Sequence, residues 1–359
     1  MPKPPLIAFS GGGSAGHVTP NIALMDAFRD EGWRLVYFGT AKGIEREIIA
    51  RTGTDYVAVP SGKLRRYFSW ENFFDPFKIV LGIWLALIHM LRLRPRVLFS
   101  KGGFASVPPV VAAWMAGVPV VIHESDRSPG LANKLTARFA KTICVAFDDC
   151  SLLKTDQART VLTGPPVREA LFEGMAERGR ALIGADGTKP VLLVFGGSLG
   201  ARAINQAVRG ALEALTQRYA IAHVTGAGNL DPALEGRTGY TQFEFLHAEF
   251  GDLLAAADLV VSRAGANAIA ELVALQKPHL LIPLPATQSR GDQIENAAAY
   301  EARGASRVRA EDELSAETLL ADLDALEKGR EDYKAAMAAI GCDRGGAKVI
   351  AEIRKAAKG

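Results

Sequence analysis

A short apolar run that empties into a cluster of glycines and then into a helix-like stretch occurs twice in this chain. Leu6–Ser10 leads into Gly11-Gly12-Gly13-Ser14-Ala15-Gly16, and Val191–Phe195 leads into Gly196-Gly197-Ser198-Leu199-Gly200-Ala201. After the first turn a helix is predicted over Asn21–Asp30, then strands at Arg34–Phe38, Val97–Ser100 and Val118–His123. After the second, a helix is predicted from about Arg202, then strands at Ile221–Thr225, Phe243–Leu246, Leu259–Ser262 and His279–Pro283. Strands alternating with helices predict parallel, doubly wound α/β sheets covered on both faces. Two such halves in 359 residues fit two domains of roughly 100–200 residues each. We place the first at 1–163, a linker at 164–189 and the second at 190–340. Residues 341–359 are expected to form a C-terminal helix that packs back on the first domain. Open parallel sheets bind ligands beyond the carboxyl ends of their strands.

Composition narrows the class. Hydrophobic residues are 48% and charged residues 23%, a globular balance that excludes a disordered chain. The net charge of +3 gives no reason to expect nucleic acid as a partner. Cys144, Cys150 and Cys342 have neither metal-ligand spacing nor an even disulfide framework, which suits a reducing compartment. The five-residue apolar stretch before the first glycines is too short for a signal peptide. No uninterrupted apolar run reaches ~18–20 residues, so no membrane crossing is expected. Charge is nevertheless concentrated: Ser61 to Lys101 holds eight basic residues against two acidic ones. Inside that stretch Ile79–Leu91 is almost wholly apolar. With Trp70, Trp84 and flanking cations, it reads either as a helix lying on an anionic lipid surface or as a buried core helix.

The turns carry the candidate chemistry. Gly11, Gly13 and Gly16 match GxGxxG, which suits phosphate at a helix start. A dinucleotide site would also need an acid at the end of the second strand, and Gly39-Thr40 stands there instead. The plainer alternative is a turn that lets helix and strand pack closely. His17 follows at a helix start, where the dipole favours a neutral imidazole able to accept a proton; it could equally pack against the sheet. Ser198 and the helix after it could hold a phosphate. Arg168, in Gly164-Pro165-Pro166-Val167-Arg168, could neutralise a diphosphate or make a surface ion pair. Glu271, in Ser262–Glu271, could accept both hydroxyls of a ribose or sit on a solvated face, and Gln293 could hold sugar hydroxyls. His123, Glu124, Asp126 and Asn133 cluster in the stretch from His123 to Lys134. Asp322-Leu323-Asp324 lies in a charged helical stretch and reads as solvated surface, not as a metal site.

In order, GGxxGHVxP, HExxxxxGxxNK, GxPVR, GGSxGAxxxN, SRxGAxxxxE and DQxxNA resemble the bacterial UDP-N-acetylglucosamine:N-acetylmuramyl-(pentapeptide) pyrophosphoryl-undecaprenol N-acetylglucosamine transferases, the MurG family. The resemblance runs from Leu6 to about Ala305. It implies a GT-B fold, two Rossmann-like domains with the active site in a cleft between them. It also implies a UDP-GlcNAc donor, a polyprenyl-diphosphate lipid acceptor, no cofactor or metal, and a peripheral place on the cytoplasmic face of the cell membrane through Ile79–Leu91. By matching positions, Arg168 and Ser198 would contact the diphosphate, Glu271 the ribose, Gln293 the GlcNAc hydroxyls and Leu246 the uracil. Gly265, Ala266 and Asn267 would start the helix under the phosphates. Ser14, Ala15 and Gly16 would line the acceptor-side loop, and Asn133 would bind substrate. His17 would be the first candidate base, with Glu124 or Asp126 second. Some members have Thr-Gly-Gly where this chain has Ser14-Ala15-Gly16. The family often has HEQN where this chain has His123-Glu124-Ser125-Asp126, which puts an acid in place of an amide.

The implied reaction moves GlcNAc to the muramyl 4-hydroxyl of the lipid-linked acceptor with inversion. One base takes the hydroxyl proton, a contribution of about 10²–10⁴ in rate, and cationic groups stabilise the leaving UDP. A UDP-sugar epimerase on the same fold would need no acceptor, so the apolar–basic patch argues against it. A non-catalytic docking subunit would not need Glu271 and Gln293.

Overall fold

Unbroken apolar runs such as Ile7-Ala8-Phe9 and Leu192-Leu193-Val194 suit strands covered on both faces. A computed structural model describes residues 4–62, 71–152, 156–197, 200–344 and 346–358, and places both runs at the centre of parallel sheets. The chain forms two compact units. One comprises the residues up to Pro166 together with the C-terminal helix Ala347–Lys358; the other is Val167–Arg344.

The first unit holds β1 (Leu6–Ser10), β2 (Arg34–Gly39), β3 (Asp55–Ala58), β4 (Val97–Ser100), β5 (Val120–Glu124), β6 (Thr142–Val145) and β7 (Thr160–Leu162) in the order β3-β2-β1-β4-β5-β6-β7. Ala8 pairs in parallel with Val36 on one side and Leu98 on the other. Helices α1 (Thr19–Asp30), α2 (Ile44–Ala50), α3 (Glu71–Leu93), α4 (Val107–Met115) and α5 (Leu131–Thr136) connect the strands. On α1, Leu24, Met25 and Phe28 recur at helical spacing and are buried with Phe9, Tyr37 and Phe99. Val349, Ile350, Ile353 and Ala356 of the C-terminal helix belong to that same core.

The two-residue β8 (Pro166–Val167) precedes the second sheet, which consists of β9 (Val191–Phe195), β10 (Ala220–Val224), β11 (Tyr240–Phe243), β12 (Leu259–Ser262), β13 (His279–Leu281) and β14 (Arg307–Val308). Their order is β11-β10-β9-β12-β13-β14. In both sheets chain order reverses at one place, between β1 and β4 and between β9 and β12. At such a switch point, crossovers leave on opposite faces and a crevice opens at the strand ends.

Several sequence expectations shift. The stretch 167–189, expected as linker, is part of the second unit. Its helix Ala176–Leu182 is pinned by Asp252, whose carboxylate accepts from Met175 N–H at 2.7 Å and from Arg178 at 2.8 Å. The strand expected at Phe243–Leu246 is β11 at Tyr240–Phe243, so Leu246 lies in the following loop. Strands β3, β7 and β14 are short or at a sheet edge, while β6, an inner strand with the apolar run Ile143-Cys144-Val145, is an addition to the expected set. Asp322 is helical but not solvated: it is fully buried, bonded to Arg307 Nε at 2.6 Å and to Arg309 Nε at 2.8 Å.

Helix α3 overturns the expectation that no segment is long enough to cross a membrane. Lys78 and Arg92 bound the apolar run, but Asp75–Leu93 has a mean hydropathy of 1.6 and only 17% of it is buried. Length and composition alone would allow a crossing. Topology opposes it, because β3 before and β4 after lie in one sheet, and a single crossing would put them on opposite sides. Asp75, Gly82, Ala86 and Met90 face inward, and a Cβ at Gly82 would stand 2.0 Å from the Pro60 carbonyl oxygen. Phe77, Val80, Leu81, Trp84, Ile88 and Leu91 form the exposed stripe, with Trp84 57% exposed. The alternative of a buried core helix therefore fails.

Candidate functional site

At the first switch point, groups of the protein itself fill the turn after β1. Gly12 N–H donates to the Gly102 carbonyl at 3.3 Å, and Lys101 N–H to that of Ser10 at 2.9 Å. Gly103 has φ +80°, and a Cβ there would lie 2.0 Å from the Gly12 oxygen and 3.0 Å from the His17 ring. Behind the turn, Glu45 of α2 is fully buried and accepts from Gly13 N–H at 3.3 Å and from Thr40 N–H at 3.0 Å. Tyr56 donates to the Thr40 carbonyl. The end of β2, where a dinucleotide fold would carry its ribose-binding acid, is thus occupied by Glu45 and Tyr56.

His17 ends a one-turn 3₁₀ segment, Ala15–His17, just before α1, and is half-buried with its ring beside Gly103. Ser14 and Gly16 are exposed on the same turn. Glu124, at the end of β5, is buried. Its Oε1 accepts from Asp126 N–H at 3.0 Å; its Oε2 accepts from Gly130 N–H and Asn133 Nδ2, both at 2.9 Å. A carboxylate so bracketed organises the loop that presents Asp126. Asn133 spends its remaining donor on the His123 carbonyl, at 3.1 Å. Glu124 and both amide hydrogens of Asn133 are engaged within the loop, and Asp126 is half-buried on the loop they hold.

Lys101 escaped sequence reading, which counted it with the surface cations. It is 2% exposed and donates to His123 Nδ1 at 2.8 Å and to the Ser125 hydroxyl. His123 Nε2 then carries the hydrogen and donates to the Gly164 carbonyl at 3.0 Å. Burial pulls the ammonium down to about 8. Burial and the adjacent ammonium hold His123 neutral, well below its ordinary value. A lysine between a buried strand and two glycines was the available signal.

The second switch point is built alike and left open. Asn205 donates to the Thr225 carbonyl at 2.9 Å and accepts from His223 Nε2 at 3.0 Å, while His223 Nδ1 accepts from the Tyr240 hydroxyl at 2.8 Å. Burial keeps His223 neutral, at about 3. Asn21 does the same work in the first unit, donating to the Ser10 carbonyl and to the Tyr37 hydroxyl, which itself donates to the Gly11 carbonyl. The exposed faces differ: among the described residues, a Cβ at Gly197 or at Gly265 would meet nothing within 4 Å.

Around that open crevice stand the other expected residues. Arg168 Nε donates to Glu271 Oε1 at 2.8 Å, with the guanidinium 5.9 Å from the Phe250 ring. Phe250 in turn stands edge-on to Phe195, the last residue of β9, at 5.2 Å. Gly265 caps the helix Ala266–Ala274, whose first turn holds Ala266 and Asn267 and has no side-chain cap. Gln293 Oε1 accepts from Leu284 N–H at 3.0 Å, which orients its amide nitrogen as the group left to donate. Arg263 ties the end of β12 to β13 and beyond, donating to the Ile282 carbonyl at 3.2 Å and pairing with Glu311. Ser198 lies outside the described residues, and of Ala15 only the backbone is described.

These are two nucleotide-fold units with one charged, open crevice, and comparison with known proteins shows which such pair this is. The glycosyltransferase family 28 N-terminal domain matches residues 7–145 and its C-terminal domain matches residues 191–358. The UDP-N-acetylglucosamine–N-acetylmuramyl-(pentapeptide) pyrophosphoryl-undecaprenol N-acetylglucosamine transferase of Geobacillus thermodenitrificans is 51% identical over 91% of this chain and 92% of that protein. The chain belongs to this transferase family. The Legionella pneumophila member is 46% identical over 98% of this chain and 97% of its own. A crystal structure of Acinetobacter baumannii MurG covers 98% of this chain and 100% of that one with a TM-score of 0.77. At 23% identity it shows the fold, GT-B, in which family members pair two Rossmann-like units. A UDP-GlcNAc 2-epimerase from Neisseria meningitidis shares that fold at 11% identity with a TM-score of 0.64.

Proposed function

We propose that this chain transfers GlcNAc from UDP-GlcNAc to the muramyl 4-hydroxyl of undecaprenyl-diphospho-MurNAc-pentapeptide, working at the cytoplasmic face of the membrane. The observation that carries the donor half is the second switch point. It offers a cation–carboxylate pair, a helix start with no side-chain cap, and Gly197 and Gly265, where a Cβ would meet no atom of the described residues within 4 Å. A diphosphate suits the helix start and Arg168, a ribose diol suits Glu271, and sugar hydroxyls suit the Gln293 amide. Ser198 and the Leu246 backbone complete the proposed donor set.

The first unit takes the acceptor. His17 receives the proton of the 4-hydroxyl as its oxygen bonds to the sugar C1; the C1–O bond to UDP breaks and its electron pair leaves on the β-phosphate oxygen. Arg168 and the Ala266–Ala274 helix start stabilise that charge. Asp126 is the second candidate base, and Ser14 to Gly16 line the acceptor side. The apolar stripe of α3, flanked by Lys78, Arg92 and Arg94, is the proposed contact with an anionic lipid surface. Replacing Leu81 and Trp84 by serine should release the protein from vesicles rich in anionic lipid without lowering UDP affinity.

The direct test supplies UDP-GlcNAc and a short-chain lipid-linked MurNAc-pentapeptide and follows UDP release. Acceptor-dependent release with a β-1,4 disaccharide product is expected. Conversion of UDP-GlcNAc without acceptor would replace this reading with the epimerase one.

A further inference from the structure

Arg168 and Glu271 are each assigned above to a different part of the donor, yet in this structure they hold each other. The ion pair is 2.8 Å long, and its members are only 30% and 14% exposed at the side chain. The guanidinium also stands 5.9 Å from the centre of the Phe250 ring, within cation–π reach. A ribose diol that engages both carboxylate oxygens of Glu271 would have to share Oε1 with Arg168.

From this we infer that Arg168 and Glu271 form an exchange pair that makes the site select nucleoside diphosphates over nucleosides. A diphosphate gives Arg168 a doubly charged partner and releases Glu271 to the ribose, so the bond lost is replaced by two. A nucleoside has no such partner for Arg168 and must compete with it for the carboxylate. Binding energy therefore becomes available only when ribose and diphosphate arrive on one molecule. This inference rests on the donor reading of the site but concerns its selectivity, not its identity.

The two are separable by titrating UDP and uridine into the wild type and into Arg168→Ala and Arg168→Lys. UDP should bind Arg168→Ala about 10-fold or more weakly, the scale of a charge-assisted hydrogen bond. Uridine should move the other way, binding the same variant about 3-fold or more tightly, the scale of a half-exposed ion pair. Arg168→Lys, which keeps a cation but not the planar fork, should show smaller shifts of the same signs. Uridine binding that is unchanged, weakened or undetectable in both variants, while UDP still binds the wild type, overturns the exchange pair and leaves the donor reading standing. Failure of UDP to bind the wild type would remove both.

Discussion

The two glycine turns start from nearly the same sequence and end as different objects. Each follows a central strand at a switch point and sits above a buried asparagine, Asn21 or Asn205, that ties it to the sheet. In the first unit a buried carboxylate, Phe104 and the Gly102–Gly103 backbone occupy the space around the turn; a Cβ at Gly13 would lie 2.4 Å from the Phe104 ring. In the second, Gly197 and Gly265 face no atom of the described residues within 4 Å. The second turn has its own demands as well, since a Cβ at Gly196 would stand 2.7 Å from Ala201 Cβ and one at Gly200 2.2 Å from the Thr225 oxygen; the contrast rests on Gly197, which faces outward where Gly13 faces Phe104. GxGxxG therefore reports only that something approaches closely.

The sharpest way to separate the turns is through His17. If the filled turn serves the acceptor and the base, His17→Ala should lower kcat by about 10²–10⁴ while UDP affinity stays at the wild-type value. Weakened UDP binding of the same size would mean that the first turn handles the donor. Glycine substitutions come next. Gly103→Ala forces a Cβ to 2.0 Å from the Gly12 oxygen at φ +80°, and should cost about 3 kcal/mol or more in a denaturant titration. Gly197→Ala should leave stability within about 0.5 kcal/mol and weaken UDP. A destabilised Gly197→Ala with normal nucleotide affinity would erase the contrast.

Both units should gain stability as pH rises, because each buries neutral histidine and a lysine whose value burial pulls down. His279, at about 4, and His223, at about 3, are neutral when folded, whereas an unfolded histidine gains a proton below about 6.5. Stability of the second unit should fall as pH drops from about 6.5 to 4, by a few kcal/mol. Lys101 has a folded value of about 8 against an ordinary 10.5, so the unfolded chain holds more protons between those limits. Stability of the first unit should rise across that window, and Lys101→Met should flatten the rise. Differential scanning calorimetry from pH 4 to 10 checks both slopes. Glu45→Gln should cost about 1–3 kcal/mol, because the amide brings a donor to Gly13 and Thr40 N–H groups that need an acceptor. A neutral result would show that the first turn does not depend on its carboxylate.

How much of this was legible depends on the kind of signal. β1, β4, β9 and β12 carry unbroken apolar runs ending in glycine or serine, and those marks gave their bounds to the residue. β11 slid by three residues because Phe243 and Phe245 look alike in sequence, while its ladder with β10 pairs Tyr240 to Phe243. Arg168, Glu271 and Gln293 could be named because motifs carry them, but no motif states that two of them form an ion pair. Glu45 and Lys101 were invisible for the opposite reason. Ile-Glu-Arg-Glu-Ile reads as a helix with charges outward, and a lysine near other cations reads as surface; only the tertiary arrangement turns each inward. Asp322 misled in the same way, since its arginines lie on a neighbouring strand.

The last helix of the chain, Ala347–Lys358, closes the core of the first unit with Val349, Ile350 and Ile353. A ribosome therefore releases a first unit that lacks one wall until the whole second unit has been made. At about 5–20 residues per second that wait is on the order of ten seconds or longer, with Phe9, Phe28 and Phe99 short of a cover. No residue of that helix belongs to the core cluster of the second unit, so the half made later can be complete first. A stop codon just before Ala347 would accordingly damage the N-terminal half of the protein and spare the C-terminal one.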